Sequence, residues 1–123
     1  MGVDCYREAA DHEGESAAAS GLGKVYQAMG QHTTALHYHQ MDLRIGQQAG
    51  DKEAQIRAAS NIGDTYEMLE EYDKAIGYHE QHLNVATLVN DRVAKIAAFS
   101  SLGKCRNMCH YRKFMFVSQN VEN

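Results

Sequence analysis

Apolar residues recur at helical spacing along most of this chain: Leu22, Val25, Tyr26 and Met29, then Ala35, Leu36, Tyr38, His39 and Leu43, with Ile62, Thr65, Tyr66 and Leu69 repeating the first set. Steps of three and four gather such residues on one face of an α-helix, whereas a strand needs alternation. The pattern predicts helices near 14–29, 33–49, 52–69, 73–89 and 92–104. Short breaks fall at Met29-Gly30-Gln31-His32 and Leu69-Glu70-Glu71-Tyr72, where a helix pair reverses direction. Longer breaks at Ala49-Gly50-Asp51 and Val89-Asn90-Asp91 combine a residue suited to a left-handed cap with an Asp suited to starting the next helix.

The helices come in pairs. Displaced by 40 residues, Ser20, Leu22, Gly23, Tyr26, Ala35, Leu36, Tyr38, His39 and Leu43 fall on Ser60, Ile62, Gly63, Tyr66, Ala75, Ile76, Tyr78, His79 and Leu83 without a gap. Asp11, Asp51 and Asp91 obey the same offset, as do Ser100 and Gly103. A fixed period of this size marks a stacked repeat, in which each unit buries its apolar face against its neighbours. The expected fold is all-α, with antiparallel helix pairs stacked as a right-handed α-solenoid. Residues 12–50 and 52–90 make two repeats, 92–104 the first helix of a further one, and 1–10 the end of a preceding one. Residues 105–123 are expected as a divergent tail, either disordered or folded, since Arg106 stands where the register calls for Tyr.

A glycine inside a helix costs roughly 1 kcal/mol against alanine, so its recurrence at one repeat position implies a packing gain. Gly23, Gly63 and Gly103, with Ala35 and Ala75, are expected to let paired helices approach closely. Leu22, Tyr26, Ile62 and Tyr66 are expected to fill the space beside them.

Leu22-Gly23-x-x-Tyr26 followed by Ala35, and Ile62-Gly63-x-x-Tyr66 followed by Ala75, resemble the tetratricopeptide repeat. The 40-residue period and the run Tyr78-His79-Glu80-Gln81-His82-Leu83 are similar to the longer repeats of Pins-type G-protein-signalling modulators and rapsyn-like scaffolds. The resemblance implies a signalling-type scaffold whose first helices line a concave groove for a peptide or helical segment of an intracellular partner. The alternative is a structural assembly element that stacks on other repeats or self-associates through exposed end helices. The first-helix face left over after packing carries Lys24, Gln27, Asp64 and Glu67, with Arg57 and Asn61 on or beside the same strip. The resemblance assigns Asn61 to a bound peptide's backbone, and Arg57 and Lys24 could select an acidic side chain. On this reading Asn61→Ala and Arg57→Glu weaken partner capture without changing helix content.

Charge narrows the partners. The net charge of −4 divides into about −7 over residues 1–103 and +3 over residues 104–123. An acidic body lacks the continuous basic stripe that phosphate backbones require, which argues against nucleic acid. No apolar run is long enough to cross a bilayer and no signal-peptide pattern opens the chain, so a cytoplasmic address without direct membrane insertion is expected. Cys5, Cys105 and Cys109 are an odd set without paired spacing and are expected to be free thiols.

Candidate chemistry adds little. His37 and His39 diverge on a helix, His79 and His82 could share a face but lack a matching second pair, and His39 and His79 share a repeat position that is usually aromatic, so packing is expected over metal. Cys105-x-x-x-Cys109-His110 offers two thiols and an imidazole but no oriented base or oxyanion pocket. Gly21-x-Gly23 lies inside a repeated helix and lacks the context of a phosphate loop. No enzyme activity and no cofactor is expected.

Overall fold

The computed structural model describes the backbone of residues 2–122 and the side chains of residues 11–119. Five α-helices follow one another: α1 (Gly2–Ala28), α2 (His32–Ala49), α3 (Lys52–Met68), α4 (Tyr72–Leu88) and α5 (Arg92–Glu122), with no strand among the described residues. Each packs chiefly on its neighbours in sequence, so the helices form the serial stack of an α-solenoid.

One device makes all four turns. Gly30, Gly50, Glu70 and Asn90 adopt positive φ of 78°, 67°, 59° and 55°. In each turn the following amide reaches back five residues, from Gln31 to Tyr26, Asp51 to Gly46, Glu71 to Tyr66 and Asp91 to Ala86, each at 2.9 Å. This satisfies carbonyls that the helix end would otherwise leave bare. The Asp51 and Asp91 carboxylates then accept from the amides of Ala54 and Ala94, both at 3.1 Å, which caps α3 and α5.

Two helices run further than the spacing predicted. α1 passes through Asp11, because Ala10 stands where Gly50 and Asn90 supply the left-handed residue. The side chains of residues 1–10, expected to end a preceding repeat, lie outside the described residues. α5 continues past Lys104 because no glycine or proline follows Gly103, and the tail is rich in residues that tolerate helix.

The core is thin and alanine-rich. Ala35, Ala58, Ala59, Ala75, Ala86 and Ala98 are fully buried. The main cluster joins Leu43, Ala58, Ile62, Tyr66, Ala75 and Cys105, with Leu36, Leu69, Ile76 and Tyr78 packed against it. Tyr26 stacks on Tyr38 at 5.5 Å between ring centres, and Tyr66 repeats this on Tyr78 at 5.7 Å.

Leu22 and Gly103 correct the expected packing set. Leu22 is 43% exposed, although its counterpart Ile62 is fully buried. Gly103 is also exposed, and a Cβ added there would meet nothing within 4 Å. Leu22 lies on α1 and Gly103 on α5, and among the described residues no further helix covers the face that α3 buries from both sides. Val25 on α1, Met29 in the turn that follows it, and Val93, Ile96 and Phe99 on α5 are exposed as well.

Candidate functional site

A groove of about 420 Å³ crosses the first helices of the successive units. Gln27 of α1, Asp64, Glu67 and Met68 of α3, Tyr72 at the start of α4, and Lys104 and Met108 of α5 line it.

Beneath it the repeat builds one motif twice. In each pair a histidine of the second helix lies over a glycine of the first: a Cβ on Gly23 would come within 2.5 Å of the His39 ring, and one on Gly63 within 2.5 Å of the His79 ring. Both rings are fully buried. His39 Nε2 lies 3.3 Å from Gln27 Oε1, and His79 Nε2 lies 3.1 Å from Glu67 Oε2. The partners occupy one repeat position, so an amide in the first unit becomes a carboxylate in the second.

That exchange reshapes local electrostatics. Partial burial works against the Glu67 carboxylate, but hydrogen bonds from His79 and Lys104 outweigh it and hold its pKa below the ordinary value. Lys104 Nζ stands 3.3 Å from Glu67 Oε1, and that bond, with the same negative charge, raises the ammonium pKa. Asp64 Oδ1 lies 3.8 Å from His79 Nε2. Its partly buried position, reinforced by Glu67 and opposed by His79 and Lys104, pushes its pKa up to about 6. Cys105 is buried below the pair, and burial first, then the Glu67 charge, pushes its thiol up to about 12. Cys105 and Cys109 are both free thiols.

The six residues expected on the binding strip therefore divide. Gln27, Asp64 and Glu67 come together in the groove. Lys24 is exposed but does not line it, and Asn61 lies half-buried with its side-chain amide nitrogen unpartnered. Arg57 turns inward: its Nε and Nη2 donate to the two carboxylate oxygens of Asp42 at 3.2 and 3.0 Å, and Nη2 also donates to Ser16 Oγ at 2.7 Å. Ser16 in turn donates to Asp42, whose side chain is fully buried.

Lys104 and Met108 are groove residues that sequence reasoning missed, because they were placed at or beyond the end of the repeat pattern. Continuing the 40-residue register from Asp64 and Met68 would have found both. Asp42 carried a different signal, a carboxylate on the apolar stripe of α2. Glu67, His79 and Cys105 are the described residues whose side chains could converge on a metal. No spacing within a single helix announces that set.

The family model described as "Tetratricopeptide repeat" matches residues 14–88. The chain is similar in structure to the TPR domain of Arabidopsis FLU, with a TM-score of 0.64 at 16% identity, over 89% of this chain and 98% of that one. No curated protein matches the sequence significantly.

Proposed function

Because this chain belongs to the tetratricopeptide repeat family, whose solenoids present regularly spaced side chains to other proteins, we propose that it holds an extended peptide or helical segment of a cytoplasmic partner in the groove across α1, α3 and α5. The observation that carries this reading is the joint lining of that groove by three successive first helices. Met68 and Met108 offer adaptable apolar contact, and Gln27 can both donate and accept. With Lys104 paired to Glu67, Asp64 is the remaining charge, which favours a segment bringing a basic side chain to it. Rigid helices limit the ordering cost of binding, and holding a segment requires no bond to be made or broken. Among the described residues no helix is long and apolar enough to cross a membrane.

Affinity capture from cell extract tests the groove with variants at half-exposed positions that leave the core untouched. Met68→Glu and Met108→Glu should lose the captured partner, whereas Arg44→Glu on exposed α2 surface should retain it. Equal capture by all three overturns the groove reading.

A second reading, stacking on another helix, draws on the bare face of α5. Gly103 sits in register with two glycines that each receive a histidine ring, yet has nothing over it. Capture that survives both groove variants and is lost in Phe99→Glu would favour that arrangement.

A further inference from the structure

We propose that Glu67, His79 and Cys105 form a binding site for one divalent transition-metal cation of the zinc class, with Asp64 able to complete four-coordination. One carboxylate oxygen, one ring nitrogen and one sulfur, contributed by α3, α4 and α5, lie within 4.8 Å of one another. Mixed sulfur, nitrogen and oxygen donors in a small tetrahedral shell suit zinc and its neighbours rather than calcium or magnesium, which take oxygen alone. Donors bonded at about 2.0–2.3 Å in a tetrahedron stand roughly 3.3–3.8 Å apart. The His79 Nε2 separations from Glu67 and Asp64, 3.1 and 3.8 Å, already lie close to that range.

The first repeat supplies an internal comparison. Forty residues earlier, Asp64, Glu67, His79 and Cys105 correspond to Lys24, Gln27, His39 and Thr65. Both histidines fill a glycine notch to the same depth, so packing accounts for the two rings equally. It does not account for their neighbours. Only in the second repeat has each of the other three positions become a metal donor, with lysine giving way to aspartate, glutamine to glutamate and threonine to cysteine.

Access and charge are consistent with loading. Asp64 and Glu67 line the open groove, which gives an ion a route to the buried pair. The Lys104 ammonium, now 3.3 Å from Glu67, belongs to a side chain that is 72% exposed, so it can swing into water when a cation takes its place. Coordination replaces the S–H bond of Cys105 by a sulfur–metal bond and releases that proton to solvent, with no change of oxidation state.

Cobalt(II) titration of the reduced 123-residue chain tests the site. Saturation at one equivalent should bring a near-ultraviolet thiolate-to-cobalt charge-transfer band and the intense visible bands of a tetrahedral centre, both removed by added zinc. Cys105→Ser should abolish the charge-transfer band, and the near-isosteric Glu67→Gln should weaken affinity about tenfold or more. Cys5→Ser and Cys109→Ser should retain both. Circular dichroism of each variant separates loss of ligand from loss of fold, and Glu67→Gln preserves the test should Cys105→Ser unfold. Absence of the bands in the parent chain, their survival in Cys105→Ser, or unchanged affinity in folded Glu67→Gln would overturn the proposal. None of these readouts depends on a protein partner.

Discussion

Asp42 and Arg57 face each other across the boundary between the two repeats, with both carboxylate oxygens of one engaged by two guanidinium nitrogens of the other at 3.0 and 3.2 Å. Ser16 closes the triangle, so three helices are tied at one point. Asp42 is fully buried while the Arg57 side chain is 39% exposed, and this asymmetry decides what each substitution does.

Arg57→Met should be the more damaging change. It strands a buried carboxylate with Ser16 as its remaining donor among these contacts, at a cost of about 3 kcal/mol. Asp42→Asn keeps an acceptor and leaves a guanidinium that water reaches, at about 1 kcal/mol. Urea unfolding followed by circular dichroism measures both, and equal losses would contradict the asymmetry. Arg57→Glu would set a second carboxylate against Asp42, so it should unfold the stack and cannot serve as a probe of binding alone.

The glycine notches make opposite predictions at matching repeat positions. At Gly63 a methyl group would collide with a buried ring that Glu67 also holds, so Gly63→Ala should lower stability by about 1–2 kcal/mol net of its helix-propensity gain. Gly103→Ala meets open space and should raise stability by about 0.5–1 kcal/mol. Thermal melts of the two variants decide, and the same sign for both would refute the notch account.

Asp64 and the buried histidines respond to acid in opposite directions. Folding raises the Asp64 pKa from 3.8 to about 6, so the folded state holds that proton more tightly and its ionisation weakens the fold as pH rises through this window. Asp64→Asn should therefore exceed the parent in melting temperature near neutral pH, with the gap closing as pH falls to about 4. Burial lowers the pKa of His39, aided by Lys24 and opposed by Asp42. His82 is lowered by burial and His79, against Asp91. The unfolded chain takes up those protons first, so their effect is lost stability as pH drops below 6.5. Melting temperatures of parent and Asp64→Asn across that range measure the difference, and a constant gap would exclude the Asp64 contribution.

The two described thiols should differ in reactivity. In a Cys5→Ser background, iodoacetamide should modify half-exposed Cys109 quickly in the native protein. Cys105, buried and with its thiol pushed up to about 12, should react only after denaturation. Mass spectrometry of partly labelled chains distinguishes them, and early labelling of Cys105 would mean that α5 does not stay packed on α3 and α4.

Periodic features were legible in the sequence and singular ones were not. The turns at Gly50-Asp51 and Asn90-Asp91 combine φ > 0 with side-chain capping as their residue types require. Gly63 and His79 each stood out by recurrence, although their mutual contact did not. The Ser16, Asp42 and Arg57 network occurs once: its counterparts one period on are Ile56, His82 and Ala97, so no repetition pointed to it. Leu22 and Gly103 depart from the expected packing because register identifies a packing position without showing whether a neighbour is present to fill it. The convergence of Glu67, His79 and Cys105 depends on three helices lying side by side, which neither pattern nor spacing within one of them encodes.

The left-handed residues at 30, 50, 70 and 90 fall at equal intervals along the chain. Such even punctuation makes the molecule modular: a duplicated or excised block of two rods and two bends would restore every later side chain to an equivalent orientation. Adding a single amino acid inside a rod would instead rotate everything beyond it by about 100°. Length can thus change in evolution or in the laboratory by whole cassettes far more readily than by single letters.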